Sequence, residues 1–232
     1  MRFLISVLDV AYAAEGAGVA CVLADSWTAP APVAELSKRV ACNPETYEPG
    51  RFYRRELPLL RMLIDGLEFL PSVFVIDGYV WLGAKNKPGL GAHLYESVGR
   101  AVPVVGVAKT SFRDDTWSAQ VLRGKSRHPL FVTSAGLDQR RAAEFVLGMH
   151  GKHRIPTLLQ RADHLARAAA REGELDGVSG GRGDHGERKP WDWEVRQAIL
   201  RPLPLGHLLN ATMANQHSAA LPSTHVRVKT CS

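Results

Sequence analysis

Four acidic residues occupy positions that would suit a metal-dependent hydrolase. Asp9 and Asp77 each follow a short apolar run, Glu56 heads a leucine-rich segment, and Asp163 lies in a late helical stretch. Carboxylates that meet at the ends of strands and helices repel one another unless a hard divalent cation lies between them. Such an ion activates water for phosphodiester hydrolysis, and a second ion can stabilise the leaving oxygen. The pattern indicates a Mg²⁺ site, although an aspartate after a strand also often forms a turn.

The ten residues from Tyr47 to Glu56 concentrate further chemical groups beside one of these acids. They read YEPGRFYRRE and combine aromatic rings, a Pro-Gly turn, three arginines and two carboxylates. The segment joins a turn to the start of an apolar helix. An acid at a helix N-terminus and arginines on its surface are also what an ordinary surface helix shows. The rest of the chain must therefore decide between the two interpretations.

The elements that would position the acids form an α/β domain with a mixed sheet. Residues 3–8 and 19–27 predict an antiparallel hairpin in which Gly16 and Gly18 mark the turn. Residues 33–41 predict a third strand, with a short helix as the alternative. Strands and helices then alternate before two helices finish the domain. The later predicted strands are 73–76, 102–107, 117–122 and 129–133, the helices are 52–69, 90–99, 138–149 and 156–171, and 79–89 is a loop.

Composition indicates a basic, intracellular protein with a polyanionic partner. The net charge is +6, and residues from Glu172 onward contain seven acidic and seven basic side chains, so the whole excess lies in residues 1–171. A basic domain favours nucleic acid as the partner, although many basic proteins bind none. The three cysteines form no CxxC pair and no even framework, which is typical of a reducing compartment.

The last quarter of the chain differs in character from the rest. Residues 173–186 contain six glycines, and the following sequence is rich in Pro, Gly, His and Ser without periodicity. We therefore expect one compact domain over residues 1–172 and a linker with a largely disordered tail over residues 173–232. No apolar run approaches the roughly 20 residues that span a bilayer, and no signal peptide is evident. We expect a cytoplasmic protein.

Seven short motifs, in this order and spacing, resemble one known family. The chain resembles endonuclease V, an RNase H-like nuclease that acts at deaminated purines, over about residues 3–171. The resemblance implies an RNase H-like mixed sheet, opened by antiparallel strands and flanked by helices. The motifs are Asp9-Val10-Ala11-Tyr12; Tyr47-Glu48-Pro49-Gly50 with Phe52 and Arg55-Glu56; Val75-Ile76-Asp77-Gly78; Gly91-Ala92-His93-Leu94; Gly106-Val107-Ala108-Lys109; Pro129-Leu130-Phe131-Val132; and Arg154-Ile155-Pro156 with Arg161-Ala162-Asp163.

The resemblance implies catalytic roles for particular residues. Lys109 matches the active-site lysine of the family, where a cation would counter charge that builds on the scissile phosphate. His93 matches a family histidine on the helix after the central strand. The implied cofactor is Mg²⁺, with Mn²⁺ as a substitute. The implied metal ligands are Asp9, Glu56, Asp77 and Asp163.

The resemblance also implies how nucleic acid would be bound. Tyr47, Pro49 and Gly50 match the wedge loop, and a stiff turn carrying an aromatic ring can fill the gap that a flipped base leaves. Arg55 is expected to contact phosphates, with Lys125 and Arg127 as weaker candidates. Three glycines fall where small residues would let backbone amides approach a hypoxanthine base, namely Gly78, Gly106 and Gly136.

Two positions depart from the family pattern and keep other functions open. Gly83 stands where the family has a histidine near the metals, with Lys85 and Lys87 nearby as incomplete substitutes, and Leu137 stands where the family often has another histidine. We expect cleavage to survive, because all four acids are retained.

The interpretation we favour is a monomeric Mg²⁺-dependent endonuclease. It would recognise deoxyinosine in DNA and cut the strand 3′ to the lesion, with inosine-containing RNA as a further substrate. One alternative is a non-catalytic binder of damaged or structured nucleic acid. Another is an RNase H-like nuclease with a different structural specificity.

Overall fold

A seven-stranded mixed sheet forms the centre of the computed structural model, which describes residues 3–14, 16–41 and 53–172. Its order is β3-β2-β1-β4-β7-β9-β8, with β5 and β6 pairing separately. The β1–β4 and β4–β7 pairs are parallel, and the other pairs of this sheet are antiparallel. The strands are β1 (Ile5–Ala13), β2 (Gly16–Ala24), β3 (Ala34–Ala41), β4 (Val73–Asp77), β5 (Trp81–Leu82), β6 (Lys87–Pro88), β7 (Val104–Ala108), β8 (Ala119–Val121) and β9 (Leu130–Ala135).

Four helices cover the two faces of this sheet. Residues that alternate along each strand separate into two apolar clusters, as the pleat requires. Ile5 and Val7 of β1 pack with α3 and α4, whereas Leu8 packs with α1 and α2. The mixed α/β sheet opened by antiparallel strands is thereby confirmed. The helices are α1 (Tyr53–Asp65), α2 (Leu90–Ser97), α3 (Gln139–Gly148) and α4 (Thr157–Arg171).

The predicted tail and wedge loop lie outside the described residues. Residues 173–232 and 42–52 are not described, and the second range includes Tyr47, Pro49 and Gly50. Within the described ranges, no helix is long and apolar enough to span a membrane.

The two strand aspartates lie side by side on one face of the sheet. Leu8 of β1 pairs in parallel with Ile76 of β4, so Asp9 and Asp77 each follow at the next position. Both aspartates lie on the same face of the sheet as the residues two positions earlier, Val7 and Val75, which pack against α3 and α4. The prediction that β1 ends before Asp9 was wrong, because antiparallel pairing with β2 continues to Ala13 after pairing with β4 has stopped.

Helix α4 lies unusually close to the sheet at Gly18. A Cβ atom at Gly18 would lie 2.0 Å from the carbonyl oxygen of Ala166 and 2.4 Å from the amide nitrogen of Ala170. The glycine was predicted to mark a turn, but it lies inside β2. The close approach that it permits brings α4, and Asp163 with it, down onto the strands.

Buried Arg123 holds the connection that precedes α4. Its side chain is 5% exposed, and burial lowers the pKa of its guanidinium. The guanidinium donates hydrogen bonds to five backbone carbonyls and so satisfies groups between α3 and α4 that lack helical partners. The acceptors are Leu147 (3.3 Å), Met149, Gly151 (3.2 Å), His153 (3.2 Å) and Arg154 (3.3 Å).

The predicted loop 79–89 contains the small β5–β6 hairpin. Its strands have two residues each, too few to show a period-2 pattern in the sequence. Trp81 fastens it to the main sheet through a hydrogen bond from Nε1 to the carbonyl of Ser134 (2.9 Å). The Gly89 amide donates to the Val80 carbonyl (2.8 Å) and closes its base.

Candidate functional site

Three aspartates from different elements converge at one point. Asp9 from β1, Asp77 from the end of β4 and Asp163 from α4 each offer a carboxylate oxygen, and these oxygens lie within 4.8 Å of one another. All three are partly buried and line a cavity of about 330 Å³. Carboxylate oxygens at this spacing are suitable ligands for a hard divalent cation.

The carboxyl group of Asp9 is strongly affected by this environment. Burial and the negative charges of Asp77 and Asp163 raise its pKa to about 7, although a hydrogen bond from the Val10 amide (2.9 Å) and the charge of Lys109 oppose the rise. A bound cation would therefore compete with a proton for Asp9 near neutral pH.

Glu56 approaches the same site from the opposite face of the sheet. It lies in the first turn of α1 and is only 6% exposed. Burial, followed by repulsion from Asp9 and Asp77, raises its pKa to about 8, and Arg55 opposes this. Glu56 is not part of the three-aspartate group, but it lies close enough to be repelled by two of its members.

Two cations balance the acidic group. The Lys109 ammonium lies 2.5 Å from Asp77 Oδ2 and 4.0 Å from Asp163 Oδ1. Burial alone would lower the pKa of Lys109, but the hydrogen bond and charge of Asp77 outweigh it and raise the pKa. Arg167, one helical turn after Asp163, donates to both of its carboxylate oxygens at 2.9 and 3.0 Å. Sequence reasoning missed Arg167, although its i, i+4 spacing from Asp163 was a usable signal.

Lys109 lies just beyond the end of β7, where its backbone is held by side chains from elsewhere. Arg154 donates to the Lys109 carbonyl and to the Pro129 carbonyl (2.8 Å). The Tyr79 hydroxyl donates to the next carbonyl, that of Thr110 (2.9 Å). Arg154 belongs to one of the sequence motifs but had no predicted role, and Tyr79 was not predicted to contribute to the site.

A larger cavity of about 1160 Å³ lies on the other side of Asp77. Tyr53, Glu56, Asp77 and Gly78 line it near the acidic group, so Asp77 borders both cavities. Gly78 has φ +142° and no atom within 4 Å of an added Cβ, so its backbone faces open space. Among the three glycines predicted to contact a base, it is the one that lines this cavity.

The other two glycines are engaged in packing. A Cβ at Gly106 would lie 2.5 Å from the carbonyl oxygen of Gly78 and 2.9 Å from the amide nitrogen of Val80. A Cβ at Gly136, which has φ +72°, would lie 2.8 Å from the ring of Tyr95. Both glycines permit close approaches beside the site, and their contact with a base stays a prediction.

Two further predicted residues make aromatic contacts. The Arg55 guanidinium lies 3.6 Å from the ring centroid of Tyr12, which lines the smaller cavity. His93 stacks on Tyr53 with ring centroids 3.6 Å apart, and burial lowers its pKa. Among the described residues, His93 is separate from the group of aspartates, so its catalytic role stays a prediction.

The two departures from the expected pattern have local structural reasons. Gly83 has φ +62°, which favours glycine, and an added Cβ would lie 3.3 Å from the Arg113 carbonyl oxygen and 3.7 Å from the Phe112 ring. Leu137 packs against the core, and its carbonyl accepts a hydrogen bond from Ser134 Oγ (2.8 Å). Within the described ranges, neither missing histidine is replaced by a histidine in the aspartate group.

Comparisons with known proteins agree on one family. The family model for Endonuclease V matches residues 2–121 of the chain. Endonuclease V of Rhodospirillum centenum is 31% identical over 160 residues, which cover 60% of this chain and 65% of that protein. Endonuclease V of Streptomyces avermitilis is 30% identical over 146 residues, covering 54% and 62%. The chain thus spans just under two thirds of the length of these relatives.

Solved structures show the same fold. Human ENDOV matches with a TM-score of 0.59 and 21% identity, covering 75% of this chain and 86% of that chain. A complex of Ciona intestinalis endonuclease V with a 23mer DNA containing an inosine followed by a ribo-adenosine matches with a TM-score of 0.57 and 20% identity, covering 72% and 85%. These matches confirm the fold class expected from the motifs.

Proposed function

The chain belongs to the endonuclease V family, and on this premise we propose that it is a metal-dependent endonuclease acting at inosine in DNA. It would hydrolyse a phosphodiester bond 3′ to the lesion without removing the base. The observation that carries the proposal is the group formed by Asp9, Asp77 and Asp163, whose oxygens lie within 4.8 Å of one another. The inosine-containing DNA bound by the Ciona intestinalis protein supports the choice of substrate.

The donor set fits a hard divalent cation. Three carboxylates that repel one another, with Glu56 close behind them, offer only oxygen ligands. Asp9, Asp77 and Asp163 would hold the ion, Glu56 would complete its surroundings, and Mg²⁺ is the ion we propose, with Mn²⁺ as a substitute. When bound, such an ion supplies Lewis acidity that activates water and neutralises charge on the phosphate.

The basic side chains have separate roles in this proposal. Lys109 already lies against Asp77, where its ammonium can balance negative charge that develops on a phosphate at the site. Arg55 is held on the ring of Tyr12 at the edge of the smaller cavity, and from there it would contact the strand backbone. Inosine-containing RNA remains a second candidate substrate.

Cleavage of an end-labelled duplex containing one deoxyinosine tests the proposal. We expect wild type to nick the labelled strand near the lesion with Mg²⁺ and not with EDTA. Asp77→Asn should abolish the nick, whereas Asp65→Asn, at an exposed acid on α1, should leave it unchanged. An undamaged duplex of the same sequence should stay intact.

The second candidate function is binding without cleavage. The absence of histidine at Gly83 and Leu137 favours it, since the family pattern has histidines there. Retardation of the inosine duplex with no nick in Mg²⁺ or Mn²⁺ would support this function and refute the nuclease proposal.

A further inference from the structure

One end of the larger cavity carries exposed aromatic and cationic side chains. Lys85, Lys87, Phe112 and Arg113 line the cavity, and none of them belongs to the group of three aspartates. The Phe112 side chain is 42% exposed, and that of neighbouring Trp117 is 54% exposed. We refer to these five residues as the hairpin surface, because the two lysines belong to the β5–β6 hairpin. Lys85 and Lys87 were considered only as incomplete substitutes for the missing histidine, and the proposed cleavage assigns no role to the other three.

The aromatic rings of the hairpin surface are held in place by specific contacts. The Phe112 amide donates to the Tyr79 hydroxyl (3.0 Å), and its ring meets the Tyr79 ring edge-on at a centroid distance of 6.1 Å. Trp117 Nε1 donates to the carbonyl of Ala84 in the hairpin (2.9 Å). The Trp117 ring is therefore held by its own hydrogen bond and the Phe112 ring by its contact with Tyr79, while part of each ring remains open to solvent.

Gly83 is part of the same arrangement. It has a positive φ, and a Cβ added there would lie 3.3 Å from the Arg113 carbonyl oxygen and 3.7 Å from the Phe112 ring, so the hairpin turn packs closely against the segment that carries Phe112. A residue with a side chain would be strained at this backbone conformation. The glycine that stands in place of the family histidine therefore lies where the hairpin packs against the segment that carries Phe112.

The charges of this end favour a polyanion. Lys85, Lys87 and Arg113 contribute three positive charges. Two acids lie beside them: Asp114 lines the same cavity, and the Asp115 carboxylate accepts hydrogen bonds from the Trp117 amide (3.2 Å) and the Tyr79 hydroxyl (3.2 Å). The surface therefore keeps a net positive charge. Aromatic rings between cations are the combination that binds unpaired strands, because rings stack on exposed bases while cations contact phosphates. A paired duplex keeps its base faces stacked internally and cannot offer them.

We propose that the hairpin surface binds unpaired nucleotides of a single nucleic-acid strand next to the cleavage site. Bases would stack on Phe112 and Trp117, and phosphates would lie near Lys85, Lys87 and Arg113. The inference rests on the proposed function, because Asp77 borders both cavities and a strand cut at the aspartates would continue past it. It specifies a substrate that is single-stranded, or locally unpaired, beside the inosine.

The first test measures affinity without cleavage. Fluorescence anisotropy in EDTA would compare a labelled single strand lacking inosine with the same sequence as a duplex. Phe112→Leu should weaken single-strand binding by roughly 5- to 100-fold and duplex binding much less. Phe112→Tyr keeps the ring and should retain the single-strand affinity. Equal losses for both forms, or a single-strand affinity within about twofold of wild type for Phe112→Leu, would overturn the proposal.

The second test measures salt dependence and uses two exposed lysines of the hairpin surface. Each phosphate contact to a single strand contributes about 0.7 to the slope of log affinity against log salt. The double variant Lys85→Gln/Lys87→Gln should therefore reduce the slope by about 1.4. The charge-matched control Lys38→Gln/Arg140→Gln, on β3 and α3, should keep the wild-type slope. The same slope for all three proteins would refute the phosphate contacts.

Cleavage assays separate this inference from the proposed function. If wild type fails to nick the inosine duplex, the nuclease proposal fails whatever the single-strand affinities are. If wild type nicks it and Phe112→Leu binds single strands normally, the hairpin surface proposal fails alone. Substituting an RNA strand for the DNA strand shows which sugar the surface accepts, and loss of binding in the variants to either strand supports the inference.

Discussion

Replacing Glu56 by glutamine should stabilise the metal-free protein at alkaline pH. Burial and repulsion from Asp9 and Asp77 raise the pKa of Glu56 to about 8 from its ordinary 4.5. A carboxyl group with a raised pKa binds its proton more tightly in the folded state. Its contribution to folding is complete below about pH 4.5 and is lost as the pH rises through about 8. Glutamine keeps the shape and never ionises.

The size of the effect follows from the interval between the two pKa values. Each pH unit corresponds to about 1.4 kcal/mol, so the interval from 4.5 to about 8 sets a ceiling of about 5 kcal/mol for Glu56. An ionised carboxylate draws water and counter-ions from the adjoining cavity, which reduces the penalty. We therefore expect Glu56→Gln to be more stable than wild type by roughly 2 kcal/mol near pH 8.5 and nearly equal near pH 4.5.

Urea unfolding in EDTA at several pH values measures this difference directly. Glu144→Gln is the matched control, because Glu144 is an exposed glutamate on α3 that does not belong to the aspartate group. Its unfolding free energy should follow that of wild type at every pH. Addition of Mg²⁺ at pH 8.5 should stabilise wild type more than Glu56→Gln and so reduce or reverse the difference.

Parallel pH profiles for wild type and Glu56→Gln in EDTA would refute this reasoning. Such a result would mean that Glu56 ionises as freely in the folded chain as in the unfolded chain. The carboxyl group would then not be buried against Asp9 and Asp77 in solution, and its assignment beside the metal site would fail with it.

Three other substitutions test how the site is supported. Tyr79→Phe removes the hydroxyl that hydrogen-bonds to the segment after β7. The variant should lose about 1–3 kcal/mol of unfolding free energy in urea and should cleave more slowly in single-turnover assays. Unchanged values for both would exclude a positioning role for Tyr79. Arg123→Met leaves one buried and four partly buried carbonyls without their donor and should lower stability by roughly 3 kcal/mol or more in thermal unfolding. A loss below about 1 kcal/mol would contradict its anchoring role. Gly18→Ala places a Cβ 2.0 Å from the Ala166 carbonyl oxygen and should lower the free energy of unfolding by about 1–3 kcal/mol. It should also weaken Mg²⁺ binding measured by calorimetry. Gly148→Ala is the control, because its added Cβ meets open space, and it should change neither quantity.

The strand aspartates were predictable because local signals located them. Val73 to Ile76 form an apolar run that ends at Asp77, and the structure has the same strand with Asp77 as its last residue. Asp9 was predicted to follow the end of its strand, but it lies inside β1. The length of an apolar run indicates how much of a strand is buried on both faces. The apolar run ends at Leu8, but β1 continues beyond it as a partly covered strand that pairs with β2 alone.

Other features depend on contacts between residues far apart in the sequence. Arg154 reaches the backbone of Lys109 and Tyr79 reaches that of Thr110, over separations that no local pattern encodes. Gly18 resembled a turn residue because the helix that requires its missing side chain arrives about 150 residues later. Such roles become visible only when the packing of the elements is known.

The contact between Gly18 and α4 sets the width of the proposed metal site from a distance. Asp163 is carried by a helix whose height above the sheet is limited by backbone atoms touching at Gly18, whereas Asp9 and Asp77 are fixed in the sheet itself. The distance between the carboxylates therefore depends on the size of the side chain at position 18, which is not itself one of the proposed ligands. Selectivity between ions of different radius, such as Mg²⁺ and the larger Ca²⁺, can therefore be adjusted by substitutions under α4 that leave every ligand unchanged.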